Sequence, residues 1–258
     1  MIAAFAKASQ IFEDPDYLNA AVGATNFLLA KMCDADGELF HRYVEGERAV
    51  AGFLDDYAFL AWGLIELYEA GFDEKYLKAA LQLTDAMVTR FWDDVNGGFF
   101  FTSKDTIDVL IRRKEVYDGA LPSGNSVALL NLLRLARLSN NAGYEDKAAH
   151  IIRAFAGDVR GSPAAHTFFL LGVDFSVGPA YNVILVGESN WDSTQDMLIP
   201  LRKNYLPNLV FSLRAPDKAR LGYEVLGGKT TAYVCRGQMC LPPTNEISKM
   251  LDSLQLMS

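Results

Sequence analysis

The chain has little cysteine, little histidine and no excess of basic charge. Three cysteines, Cys33, Cys235 and Cys240, occur in 258 residues. Three thiols do not make the paired framework that staples small secreted domains, so cytoplasm is the expected compartment. Four residues separate Cys235 from Cys240, where a redox pair usually has two between. They are read as a structural or incidental pair, the cytoplasmic setting arguing against a disulfide. His41, His150 and His166 are scattered, with no His-x-x-x-His spacing, so no metal is expected. There is no Gly-x-Gly-x-x-Gly, P-loop or Gly-x-Ser-x-Gly, which removes the usual phosphate cradles and the nucleophile elbow; no cofactor is expected. No uncharged apolar run reaches 18 residues, so no membrane span is expected. The first residues lack a basic stretch followed by a hydrophobic one, so no signal peptide is expected. Lys and Arg total 24 against 32 Asp and Glu. Residues 1–179 hold 25 acidic and 16 basic residues, net −9, and residues 180–258 hold 7 and 8, net +1. An acidic body argues against nucleic acid or an anionic membrane as partner.

What is present is a repeat. Tyr17-Leu18 and Tyr76-Leu77 begin stretches that match at an offset of 59 (Ala20/Ala79, Ala21/Ala80, Thr25/Thr84, Met32/Phe91). A third copy starts at Tyr144, with Ala148, Ile152, Phe155 and Val159. The spacing is one apolar stripe on a helix with a polar back. Each copy follows a helix that is apolar nearly all round, Phe53–Ala70 and Val127–Leu138, and therefore buried on every side. The links within each pair are short, which makes the two helices antiparallel neighbours. The fold class expected is mainly α: αα-hairpins over residues 1–178, with inner helices near 1–12, 53–70 and 123–139, arranged as part of an α/α toroid. By the same offset Met1 aligns with Leu60, so the first inner helix lacks its opening turns and the chain reads as the back portion of something longer. Ile2, Phe5 and Ile11 are then expected to be under-packed, with self-association through that face.

Two loops repeat as well. Asp36-Gly37-Glu38-Leu39-Phe40 matches Asn96-Gly97-Gly98-Phe99-Phe100, and β-hairpins are expected over Glu38–Val50 and Gly98–Val116. From Pro179 the pattern changes, with six of nine prolines at or beyond it. Strands are expected at 181–187, 209–213 and 231–235, and helices at 192–205 and 245–256. Residues 179–258 thus read as a small α/β region with a parallel sheet.

Chemistry gathers at the starts of the inner helices. Asp55 and Asp56 open the second, where the helix dipole favours carboxylates; capping alone accounts for one of the two. Glu115 and Asp118 precede the third. Two carboxylates from neighbouring loops are the pair that glycoside chemistry uses as acid and base or acid and nucleophile. These four are the candidate catalytic residues. Tyr57, Trp92, Lys114, Tyr117, Ser123, Asn125 and His41 are candidate substrate-binding residues: an aromatic platform, hydrogen-bonding groups and a histidine able to act as base. The competing readings are a packed tyrosine, a core tryptophan, a Lys-Glu surface pair and a surface histidine.

The segments Gly52-Phe53-Leu54-Asp55-Asp56-Tyr57-Ala58, Arg90-Phe91-Trp92-Asp93 with Gly97-Gly98-Phe99-Phe100, and Lys114-Glu115-Val116-Tyr117-Asp118-Gly119-Ala120-Leu121-Pro122-Ser123-Gly124-Asn125-Ser126 together resemble the spermatogenesis-associated protein 20-like, thioredoxin-domain-containing family. Ala232-Tyr233-Val234-Cys235-Arg236 with Cys240 and Pro242-Pro243 matches as well. The resemblance implies a six-hairpin glycosidase-like α/α toroid, akin to N-acylglucosamine 2-epimerases, following a thioredoxin-like domain that this chain lacks. It carries no assigned reaction. The function expected is action on, or binding of, a small sugar in an epimerase- or glycosidase-like manner, with this portion inactive alone. The alternative is a non-catalytic scaffold serving the thioredoxin-like domain.

Overall fold

A computed structural model of the chain describes residues 1–34, 37–107, 109–219, 222–237 and 239–255. The chain divides into two compact units, Met1–Val173 and Asp174–Ser258.

The first unit is a series of helical hairpins: α1 (Ile2–Phe12) with α2 (Pro15–Lys31), α3 (Leu54–Gly71) with α4 (Glu74–Phe91), and α5 (Gly124–Ser139) with α6 (Ala142–Gly161). The inner helices fall where the apolar pattern places them, and α3 packs between α1 and α5. Tyr17, Tyr76 and Tyr144 are each the third residue of an outer helix. The turns repeat as strictly as the helices. Glu13, Phe72 and Asn140 each end an inner helix in the left-handed region, at φ of 56°, 56° and 57°. The next residue, Asp14, Asp73 or Asn141, then caps the outer helix by accepting the N–H of Asp16, Lys75 or Gly143. A left-handed residue turns the chain, and the following side chain satisfies a free amide of the new helix.

The interior of this unit holds charge that the apolar reading of α3 passed over. Arg134 of α5 donates from Nη1 to Glu66 Oε1 at 2.6 Å and from Nη2 to Glu69 Oε2 at 2.8 Å. Trp62 Nε1 also donates to Glu66, and Lys7 of α1 approaches its other oxygen at 4.0 Å. Burial pushes Glu66 up, but Arg134 and Lys7 outweigh it and hold it below the ordinary range. Glu69 is more deeply buried, shares the same arginine and has no partner on Oε1, so burial wins and pushes it up to about 7.

The loop between α2 and α3 forms the expected hairpin, β1 (Phe40–Val44) antiparallel to β2 (Glu47–Ala51). Asp36, expected at the turn before it, lies outside the described residues. The second expected hairpin, over 98–116, is corrected: no strand is present there among the described residues. Its backbone finds a different partner. Asn125, fully buried in the first turn of α5, accepts the N–H of Phe99 at 2.8 Å. It also donates to the carbonyls of Phe99 and Glu115, each at 2.9 Å. One carboxamide thus does locally what a neighbouring strand would do.

α7 (Thr167–Val177) closes the first unit and leads into the second. In the second unit β3 (Tyr181–Val186), α8 (Asp192–Lys203), β4 (Leu209–Arg214), β5 (Thr231–Arg236), β6 (Met239–Cys240) and α9 (Ile247–Gln255) form a sheet of order β4-β3-β5-β6 with two helices. The expected strand–helix–strand is present, β3 and β4 being parallel. The sheet as a whole is mixed, because β5 returns antiparallel to β3. β3 is buried along almost its whole length, as a central strand must be. Pro200 sits inside α8 without ending it. Contrary to the expected absence of a disulfide, Cys235 and Cys240 are bonded: the register of β5 and β6 makes them direct partners, Cα to Cα 3.9 Å.

Two stability outcomes follow. Asn125→Ala removes three buried hydrogen bonds and leaves their backbone groups unsatisfied, which lowers unfolding free energy by about 3 kcal/mol in chemical denaturation. Glu69 ionises near 4.5 in an unfolded chain but near 7 in the folded one. Its contribution is therefore complete below pH 4.5 and lost as pH rises through 7. Denaturation midpoints measured from pH 5 to pH 8 fall by roughly 1–3 kcal/mol equivalent, and Glu69→Gln flattens that slope.

Candidate functional site

The sequence-predicted residues divide into those that hold the loops in place and those that face a cleft. The cleft, about 130 Å³, is lined by Leu54, Asp55, Phe101, Glu115, Tyr117, Leu121, Pro122, Ser123 and Gly124. It lies where the N-terminal turns of α3 and α5 meet the loop 100–123.

Asp55 and Asp56 are adjacent in sequence and opposite in role. Asp56 Oδ2 accepts the N–H of Phe53 at 2.8 Å, capping its own helix. His41 Nδ1 stands 3.0 Å from the same carboxylate, and its ring packs edge-on against Phe53. Asp55 instead reaches across to the next inner helix, where it accepts the N–H of Gly124. A Cβ on residue 124 would collide with Asp55 Oδ1 and with the Leu54 side chain, so glycine is what allows this approach. Burial pushes the Asp55 carboxyl above the ordinary range, the negative charges of Asp56 and then Glu115 push it further, and the Gly124 amide offsets part of the rise.

Glu115 is exposed on the cleft wall. Its backbone carbonyl is held by Asn125, so the side chain is carried on an anchored strut. Tyr117 is 67 % exposed at the rim. Phe53 and Phe101 stack at 5.0 Å behind the cleft.

The remaining candidates are engaged elsewhere. Asp118 accepts the N–H of Ser123 at 2.9 Å through Oδ1, and those of Phe168 and Phe169 at 2.8 and 2.9 Å through Oδ2. It caps the start of α7 and pins the loop to α5. Ser123 caps α5, accepting the Ser126 amide at 3.1 Å. Tyr57 is buried and its hydroxyl accepts the Leu39 N–H at 2.9 Å. Lys114 donates to Asp93 Oδ2 at 2.6 Å and to the Gly97 carbonyl at 2.9 Å. Asp93 also accepts the amides of Val95 and Asn96. Burial works against the Asp93 anion, but Lys114 and those amides outweigh it and hold its carboxyl well below the usual range. Trp92 packs edge-on against Phe99 and has Lys147 over its ring at 4.6 Å. It lines a separate groove with Asp93, Gly97, Lys147 and His150, not the Asp55 cleft.

Sequence reasoning left out Gly124 and Asp93 as actors. The signal for the first was a glycine at a helix start, and for the second an Asp followed by a Gly-Gly turn. No group of three His, Cys, Asp or Glu side chains able to hold a metal occurs among the described residues. Among them, too, no helix is long and apolar enough to cross a membrane.

What the arrangement can do is present two carboxyl side chains to one cleft, with the proton affinity of Asp55 raised by burial and by its acidic neighbours. A carbon-detected NMR titration reads the Asp55 midpoint above an ordinary aspartate. In Glu115→Gln that midpoint moves down, because a neighbouring negative charge is gone.

No protein-family model matches the chain. It is 29% identical over 273 residues to spermatogenesis-associated protein 20 of Homo sapiens, an alignment covering 97% of this chain and 35% of that protein. It is 30% identical over 213 residues to the Mus musculus protein of the same name, covering 78% and 27%. The chain thus spans about a third of the length of the curated relatives it matches. Among solved structures it is similar to cellobiose 2-epimerase from Spirochaeta thermophila DSM 6192, with a TM-score of 0.50 and 22% identity over 60% of this chain and 40% of that one. The chain is a homologue of spermatogenesis-associated protein 20, and its helical hairpins have the fold of the six-hairpin glycosidase-like α/α toroids.

Proposed function

We propose that the chain contributes a carbohydrate-binding cleft to a glycosidase- or epimerase-like protein, with Asp55 and Glu115 as the two carboxyl groups that meet the ligand. The observation that carries this reading is that these two groups face the same cleft. Of the four carboxylates at the inner-helix starts, Asp56 and Asp118 are occupied as caps, whereas Asp55 and Glu115 face one small polar cleft rimmed by Tyr117. A pair of carboxyl groups facing one cleft suits the hydroxyl groups of a sugar, and suits acid–base chemistry at a glycosidic or anomeric carbon. The fold shared with a cellobiose 2-epimerase supports a sugar as the ligand class. Asp118, Ser123, Asn125, Lys114 and Tyr57 serve in this reading by fixing the loops, and His41 by buttressing Asp56.

The cleft's size favours a second reading. About 130 Å³ is less than the roughly 300–1,000 Å³ of typical ligand pockets. A helical array of this kind also suits a non-catalytic scaffold serving a thioredoxin-like domain in a longer chain.

Titration calorimetry and NMR shift mapping with gluco- and manno-configured mono- and disaccharides separate the two. Under the first reading Asp55→Asn and Glu115→Gln each weaken sugar binding about tenfold or more, while Arg137→Ala, remote from the cleft, leaves it unchanged. Absence of sugar-induced shifts at residues 54–55 and 115–124 in the parent, and of sugar turnover by the full-length protein, selects the scaffold.

A further inference from the structure

The second unit carries a feature with no part in the cleft: the bond between Cys235 and Cys240. These residues are direct cross-strand partners, and the loop they close contains only four residues. A short loop has little chain entropy for a cross-link to remove, so stapling is a poor explanation of the bond. The hairpin is also held without it. Leu241 donates to the Val234 carbonyl at 2.9 Å, and Ala232 and Thr244 exchange amide–carbonyl bonds of 2.7 and 3.0 Å. β5 is fixed by its six paired residues on β3. The two sulfurs differ in access: Cys235 is 5 % exposed on a central strand, whereas Cys240 is exposed on β6, a two-residue strand at the sheet edge.

We propose that Cys235 and Cys240 form a reversible thiol–disulfide couple that exchanges with an external dithiol through Cys240. A thiolate of the dithiol attacks the exposed Cys240 sulfur along the S–S axis. A mixed disulfide forms at Cys240, and the Cys235 sulfur leaves as a thiolate and takes up a proton. The second thiol of the reductant then attacks its own sulfur in the mixed disulfide, releasing Cys240 as a thiol. Two electrons and two protons pass to the protein, and the reductant closes to a cyclic disulfide. Opening the bond leaves the hairpin held by its backbone hydrogen bonds, with Cys235 in the sheet and Cys240 at its edge.

The whole chain is tested in a Cys33→Ser background, so that only this pair reports. Dithiothreitol is added without denaturant, the reaction is quenched with acid, and free thiols are tagged with a maleimide and counted by mass. The expected result is the joint appearance of two tags with unchanged circular dichroism, and their loss again in oxidised glutathione. With Cys235→Ser added, Cys240 is tagged in the native protein and forms a mixed disulfide with oxidised glutathione; with Cys240→Ser, native Cys235 resists both. Reduction that requires denaturant overturns the proposal, as does a reduced pair that glutathione cannot re-oxidise. Between the two added single-serine variants, native tagging of Cys235 as fast as Cys240 also overturns it.

Discussion

The loop end of the helical unit depends on one buried carboxamide. Asn125 has no exposed surface, and it bonds both backbone groups of Phe99 together with the carbonyl of Glu115. Two segments far apart in the loop 92–123 are thereby fixed to the first turn of α5. The loop residues Phe101 and Glu115, which face the cleft, are tied to that join. Phe99 leads into Phe101, whose carbonyl accepts the Leu54 amide at the start of α3, and Glu115 stands directly on it. A residue unable both to donate and to accept leaves polar backbone buried and unpaired, a larger loss than the bonds themselves represent in water.

Much of the fold was legible because the helices repeat. A tyrosine at the third position of each outer helix, an alanine four positions on, and a turn that ends in Asp or Asn all leave marks in sequence. The failures have one physical origin, which is that side chains from distant positions took over work expected of local backbone. The segment 98–116 alternates well enough to suggest strands, but Asn125 takes both peptide groups of Phe99 and the carbonyl of Glu115, and Phe91, Arg90 and Leu54 take others. Glu66 and Glu69 lie in a helix read as wholly apolar, and only Arg134, 65 and 68 residues further on, makes them tolerable. The Cys235–Cys240 bond likewise follows from strand register, which residue spacing alone does not supply.

The candidate site was legible in place and less so in membership. Helix starts rich in Asp, Ser and Asn were expected to gather at one end, and the Asp55 cleft lies at such starts. Which carboxylate would face the cleft was not readable, since Asp55 and Asp56 have the same chemistry and differ only in direction. The distinction rests on Gly124, whose missing side chain opens the approach that Asp55 uses. Trp92 shows the limit of reading aromatics from loop edges: it is partly exposed, but lines a different groove.

The hairpin turns have a consequence for how such a protein changes over time. Between the helices of each pair the chain allows two residues every time, 13–14, 72–73 and 140–141. Between successive pairs it uses residues 32–53 in one case and 92–123 in the other. Length is therefore frozen at one end of the array and unconstrained at the other. Insertions at the free end remodel whatever the loops meet while the packing of the helices keeps its register, so the same scaffold can exchange one surface chemistry for another without refolding.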